Sequence, residues 1–214
     1  MGLREMRPPV AKEGLIFILP YWAFLFLLLV LGQSLLSAAL SFVGLLLIWF
    51  FRDPERISRE VPEAILAPAD GKVVEVKRAV IINEIPMQKI SIFMSVFDVH
   101  INRSPVEGQV VGNQCFKGKF FPADEDKSSE LNERNMLTIR TLKGEIVYVV
   151  QIAGFIARRI SSWAKVGDML KRGQRIGIIR FGSRVDMYMP LNWEIAISKG
   201  KRTKAGKTVV GYMR

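Results

Sequence analysis

"VGDMLKRGQRIGIIRFGS", residues 166–183, decides the fold. Gly167, Gly173 and Gly177 recur in it at short intervals. They permit tight turns and close strand crossings where a Cβ would clash. Between them and Gly182 runs an apolar strand, "RIGIIRF" (175–181). Outward from this unit, short strand-like runs alternate with turn signals from residue 64 to residue 197. They are "AILAP" (64–68), "KVVEVKRAVII" (72–82), "KISIFMSV" (89–96), "EGQVVGNQCF" (107–116), "NMLTIRTL" (135–142), "EIVYVVQIAG" (145–154) and "NWEIAI" (192–197). No long amphipathic helix occurs after residue 60, and the polar stretch 122–134 (PADEDKSSELNER) reads as a mobile loop. Such a series predicts a mainly β fold, a compact barrel or sandwich.

The N-terminal part is different. Residues 15–51 carry no charge. A spanning helix needs about 20 apolar residues, with about 17 as the lower limit. "GQS" (32–34) interrupts the segment, which leaves two arrangements open. One is a helical hairpin with arms 15–31 and 35–51. The other is one tilted span with an interfacial helix. Arg4, Arg7 and Lys12 precede the segment and Arg52 and Arg56 follow it. Basic residues on both flanks favour the hairpin, with both ends in the cytoplasm. The organisation expected is a membrane anchor over 1–51, a charged, Pro-containing linker over 52–64 and a catalytic β domain over 65–214. A cleaved signal peptide does not fit so long a segment without a small-residue cleavage site.

The chain holds 31 Lys and Arg against 20 Asp and Glu. Of these, 28 basic and 18 acidic residues follow residue 51. This balance suits an anionic partner, and a chain already at a bilayer meets anionic lipid first, so an anionic membrane surface is expected and nucleic acid is not. One cysteine and one histidine give neither an internal disulfide nor a Cys/His zinc site, and no metal is expected. Cys115 reads as a small buried residue. No glycine-rich nucleotide loop of the P-loop or dinucleotide type is present.

Four side chains are candidates for chemistry. Asp98 and His100, two apart in "MSVFDVHINRSP" (94–105), would face the same side of a strand. Asp70 in "PADG" could equally bond its own turn backbone. Ser183 follows the chain's only Gly-Ser pair at a strand end, where a turn is the ordinary expectation. A serine hydroxyl needs a neighbouring base, which His100 could supply, oriented by Asp70 or by Asp98.

Two resemblances bear on these residues. The cadence of 166–183 is similar to the hairpins of lipoyl- and biotinyl-type barrels, which leaves open a membrane-anchored, non-enzymatic adaptor. A carrier of that kind needs a lysine in a tip motif such as Asp-Lys-Ala or Met-Lys-Met, and neither tripeptide occurs. The second resemblance spans nearly the whole chain. "FFRDPER" (50–56), "APADGKVVEV" (67–76), "ISIFMSVFDVHINRSPVEGQV" (90–110), "GKFFPADEDKSSELNERN" (118–135) and "RIGIIRFGSRVDMYMP" (175–190) resemble the short, membrane-anchored phosphatidylserine decarboxylase proenzymes. That resemblance implies self-cleavage at Gly182–Ser183 into a β chain, 1–182, and an α chain, 183–214, which stay together as a heterodimer or a higher oligomer. It implies a pyruvoyl group derived from Ser183 in place of pyridoxal phosphate. It also implies decarboxylation of phosphatidylserine at the cell membrane, on the cytoplasmic face, with Ser183, His100, Asp70 and Asp98 as catalytic residues. Arg103 stands where longer members of that family carry a second histidine, which leaves two readings open: His100 serves both self-cleavage and protonation, or Arg103 takes a share, for instance by binding the substrate phosphate or carboxylate.

Overall fold

The structure is a computed structural model, and it describes residues 9–57, 60–118, 132–154, 159–180 and 183–214. Gly182 and most of the expected loop over 122–134 lie outside the described residues. The chain divides into two compact units, residues 1–55 and 56–214.

The first unit is a helical hairpin of α1 (Lys12–Val30) and α2 (Ser34–Phe50). Its turn forms where the apolar run breaks. Gly32 takes φ +76°, a left-handed conformation that a Cβ disfavours. The Gln33 N–H bonds the Leu28 carbonyl at 2.9 Å and the Gly32 N–H bonds that of Leu29 at 3.1 Å. This pair of bonds is a Schellman closure, which satisfies carbonyls that the helix end would otherwise orphan. The arms approach closely at small residues. A Cβ on Gly14 would collide with the Phe51 ring, and one on Gly44 would press on Trp22. Ser37 Oγ and the Tyr21 hydroxyl reach across to carbonyls of Leu25 and Leu40 at 3.0 and 2.9 Å. The open end is held by a β-bridge between Val10 and Arg52. Most large apolar side chains of both arms face outward. Helix α1 is long and apolar enough to cross a membrane, and α2 is two residues shorter.

The second unit is mainly β. Its strands are β1 (Ala64–Leu66), β2 (Gly71–Ile82), β3 (Ile85–Met94), β4 (Ile101–Arg103), β5 (Gly108–Phe116), β6 (Arg134–Thr141), β7 (Ile146–Ala153), β8 (Ile160–Ser162), β9 (Met169–Leu170), β10 (Arg175–Ile179), β11 (Ser183–Pro190), β12 (Glu194–Ile195), β13 (Arg202–Thr203) and β14 (Val209–Tyr212). An eight-stranded antiparallel sheet, ordered β13-β2-β3-β11-β7-β6-β5-β9, curls into a half-barrel. Two three-stranded sheets, β1-β14-β12 and β4-β10-β8, complete the unit.

Alternation of side chains along each strand fixes what the half-barrel encloses. Ile90, Ile92, Leu137, Ile139, Val147, Val149, Val185, Met187 and Met189 form the inner core. Met87, Met136, Tyr148, Val150 and Ile152 form a second cluster on the outer face. The glycines of the opening stretch act as their spacing predicts. Gly173 turns with φ +78°. At Gly177 strand β10 crosses so closely that a Cβ would lie 2.5 Å from the Ser161 carbonyl oxygen and 3.0 Å from Gln151 Nε2.

Candidate active site

Ser183 does not sit in a turn. It opens β11, the strand at the middle of the half-barrel, paired with Met94 of β3 on one side and Ala153 of β7 on the other. Its inward phase, shared with Val185 and Met187, leaves it 0% exposed. At this end of the half-barrel the enclosed residues change character. Where Val149 and Leu137 pack one step further in, Gln151, Asn135 and Asn102 take over, all buried. Gln151 Nε2 donates to Asn102 Oδ1 at 2.8 Å, and Asn135 Nδ2 meets Gln151 Oε1 at 3.4 Å. Met94 Sδ lies between Asn102 Nδ2 and Ser183 Oγ, 3.5 Å from each. The serine therefore ends a chain of buried amides and faces a soft sulfur acceptor.

His100 and Asp98 do not lie on a strand. Residues 95–98 form a turn, because Ser95 and Asp98 bond each other reciprocally. The Asp98 N–H donates to the Ser95 carbonyl at 3.0 Å, and the Ser95 N–H and hydroxyl donate to Asp98 Oδ2 at 2.9 and 2.8 Å. Such side chain-to-backbone bonds compete with a sheet ladder. The turn delivers His100 to the start of β4, fully buried. Its main-chain carbonyl accepts from the Ile179 N–H at 3.4 Å, so it lies beside the end of β10 that leads to Ser183. His100 Nδ1 is 2.9 Å from the main-chain carbonyl of Asp98. A carbonyl only accepts, so Nδ1 carries the proton and the lone pair of the neutral ring is on Nε2.

Each carboxylate is held by an arginine. Asp98 Oδ1 pairs with Arg202. Asp70 is clamped by the Arg56 guanidinium, with Nη2 to Oδ2 at 2.8 Å, and accepts the Ala205 N–H at 2.7 Å. Arg56 also donates to the Ala205 carbonyl at 2.8 Å. Asp70 thus fastens the start of the second unit to the turn at 204–206. Arg103 is buried, its Nη1 donating to the Gly173 carbonyl at 3.0 Å and its stem packed against Gly206. It ties two turns together. Cys115, expected to be buried, is exposed near the end of β5, with Sγ 3.0 Å from Asn135 Oδ1.

The opposite face of β11 carries charge. Arg184, next to Ser183 in the chain and 0% exposed, donates through Nε to Asp186 Oδ1 at 2.7 Å and through Nη2 to Ser91 Oγ at 2.9 Å. Lys89 Nζ bridges Glu75 Oε2 at 2.9 Å and Asp186 Oδ2 at 3.3 Å. Asp186, Ser91 and Glu75 stand in register across β11, β3 and β2. Burial alone would raise the Glu75 carboxyl. Hydrogen bonds from Lys77 and Lys89, with their charges, outweigh it and lower the carboxyl to about 2 from 4.5. A depressed carboxyl stabilises the fold above its unfolded value and loses that contribution as pH falls. Between pH 4.5 and about 2 the urea midpoint is expected to fall less steeply for Glu75→Gln than for the native chain. Equal slopes for the two proteins in that window would discount this network.

Sequence reasoning missed Asn102, Asn135, Gln151 and Met94. The signal was available for two of them. Gln151 falls in phase with Val147, Val149 and Ala153, and Asn135 in phase with Leu137 and Ile139. A polar residue at an inward position of an otherwise apolar strand marks a wall that must serve something other than packing.

A family model for phosphatidylserine decarboxylase matches residues 43–211. A phosphatidylserine decarboxylase proenzyme of Geotalea uraniireducens is 44% identical over 213 residues, covering 99% of this chain and 100% of that protein. One of Syntrophotalea carbinolica is 46% identical over 217 residues, with the same coverage. One of Syntrophus aciditrophicus is 41% identical, covering 94% of this chain and 96% of that protein.

Proposed function

Since the chain belongs to the phosphatidylserine decarboxylase family, we propose that it converts phosphatidylserine to phosphatidylethanolamine and CO2, using a pyruvoyl group made from its own Ser183. The observation that carries this reading is the placement of Ser183: fully buried, at the head of a strand zipped on both sides, with His100 held beside the end of β10.

In this reading the Gly182–Ser183 bond is cut first. His100 Nε2 takes the hydroxyl proton, and Ser183 Oγ attacks the Gly182 carbonyl, exchanging the amide for an ester. Loss of the Ser183 Cα proton expels the Gly182 carboxylate and leaves dehydroalanine. Water then releases ammonia and leaves a ketone as the first group of the 183–214 chain. Residues on this chain suit that group. Register with Met94 and Ala153 holds the new chain end in place after the cut, and the Asn102–Gln151 amides give it a polar, water-poor wall. A pyruvoyl group supplies an electron sink for carboxylate loss. His100 Nε2 returns a proton to the carbon that CO2 leaves. Asp98 orients His100 through its main chain, and Asp70 acts by holding the 204–206 turn.

Residues 1–51 serve as the membrane anchor, 52–64 as linker and 65–214 as the catalytic domain, on the cytoplasmic face of the cell membrane. The 1–182 and 183–214 chains remain a heterodimer. The family match leaves no support for the lipoyl-like adaptor. Intact-mass measurement on the active protein tests the proposal. It is expected to give two chains, 1–182 and 183–214, the smaller with a blocked N-terminus. A single 214-residue chain in active protein would overturn it.

A further inference from the structure

The turn that carries Asp98 toward His100 has an apolar tip. Val96 and Phe97 are 42% and 70% exposed. The tip is fixed, because Ser95 and Asp98 lock the turn and Asp98 Oδ1 pairs with Arg202. Arg202 belongs to "KGKRTKAGK" (199–207), five cations in nine residues with no acidic residue among them. Lys199, Lys201, Arg202, Lys204 and Lys207 are all exposed. Across the β2–β13 ladder Arg202 stands directly opposite the exposed Lys72. Among the described residues, none of these lysines is in an ion pair.

Two unfavourable features therefore sit side by side, joined by the Asp98–Arg202 pair. Large apolar side chains meet water, and like charges face each other across a ladder, an arrangement that destabilises a sheet. One kind of surface relieves both. Anionic headgroups attract lysines, and the hydrocarbon boundary just beneath accepts an aromatic tip. Nucleic acid would answer the charge. It does not answer Val96, an aliphatic side chain beside Phe97, as well as lipid does.

We propose that Val96–Phe97 and the cationic run 199–207 together form the face by which the catalytic domain lies on an anionic bilayer, the tip entering the headgroup boundary. The proposal rests on the lipid-substrate reading above and adds to it the docking face. Because the tip belongs to the same turn as Asp98, docking would set the lipid surface within a few residues of His100. The headgroup would then approach without leaving the membrane plane.

Hydrogen exchange on the full chain tests this. The Ser183→Ala protein is placed in phosphatidylcholine nanodiscs with or without phosphatidylglycerol, which is not a substrate. Amides at 96–98 and 199–204 are expected to exchange on the order of tenfold more slowly with phosphatidylglycerol present, and the difference should vanish at high salt. Replacing Lys199, Lys201, Lys204 and Lys207 by Gln should abolish it in both segments. Phe97→Ser should abolish it at 96–98. Equal exchange in both nanodiscs, or protection that survives the four substitutions, would overturn the proposal. So would slowing by single-stranded RNA but not by phosphatidylglycerol. The uncut variant reads docking without chemistry. Absent docking beside intact decarboxylation in the native protein counts only against this face. Normal docking in a protein that never decarboxylates counts only against the function.

Discussion

Ser183→Ala is expected to run as one 214-residue chain on a denaturing gel and to release no CO2 from phosphatidylserine. Alanine has no Oγ to attack the Gly182 carbonyl, so neither the ester nor the ketone can form. The loss is then the whole of the rate enhancement, about 10⁶-fold or more. The variant should otherwise be sound. In the described structure the Ser183 hydroxyl makes one weak contact, 3.5 Å to Met94 Sδ, and a methyl group suits the neighbouring Ala153. A melting temperature within a few degrees of the native protein would exclude unfolding as the cause. Cleaved chains, or CO2 release, from this variant would remove Ser183 as precursor of the prosthetic group.

The second large effect is at His100. With Nδ1 donating to the Asp98 carbonyl, Nε2 is the nitrogen left to accept a proton. His100→Gln keeps a polar side chain of similar length and loses the base. Self-cleavage is expected to slow by about 10²–10⁴-fold, so that the freshly purified protein is mostly uncut. Asp98→Asn preserves the main-chain carbonyl that orients the ring. It should cut markedly faster than His100→Gln, although it weakens the contact with Arg202. Time courses of chain cleavage by mass spectrometry measure both variants. Native-rate cutting by His100→Gln would take His100 out of the mechanism.

Much of this fold can be read from the sequence where one physical rule acts alone. The hairpin is legible because charge is absent over 15–51 and Gly32 breaks the run, and the helices end on either side of that glycine. The long strands β2, β3, β5, β6 and β7 are legible from apolar alternation between turn signals. Strand β11 is not. In "SRVDMYMP" Arg184 and Asp186 look like solvent-facing charges, yet both are buried, each neutralising the other on the outer face of the sheet. Their pairing partners, Glu75 and Lys89, lie about a hundred residues away in the chain. No local pattern announces such a network. The same holds for β4 and β8, three residues each, which exist only because β10 lies between them. At the site, Asp98 and His100 belong together as spacing suggests, though through the backbone of a turn and without the carboxylate. Asp70's partner, Arg56, comes from the segment that reads as linker.

The place of β11 has a consequence for the order of events in this molecule's life. Ser183 acquires its neighbours only when β11 has zipped between β3 and β7, so in the proposed maturation assembly would come before scission. In the proposed mature form the same strand would belong to a separate 32-residue peptide, spliced into the middle of another chain's sheet. Refolding would then be a meeting of two molecules, dependent on their concentration, where it had first been the act of one. The ketone end could not be remade if the pieces were lost to each other. The working enzyme would therefore endure through the slowness of its unfolding, since nothing in a dilute solution would lead it back.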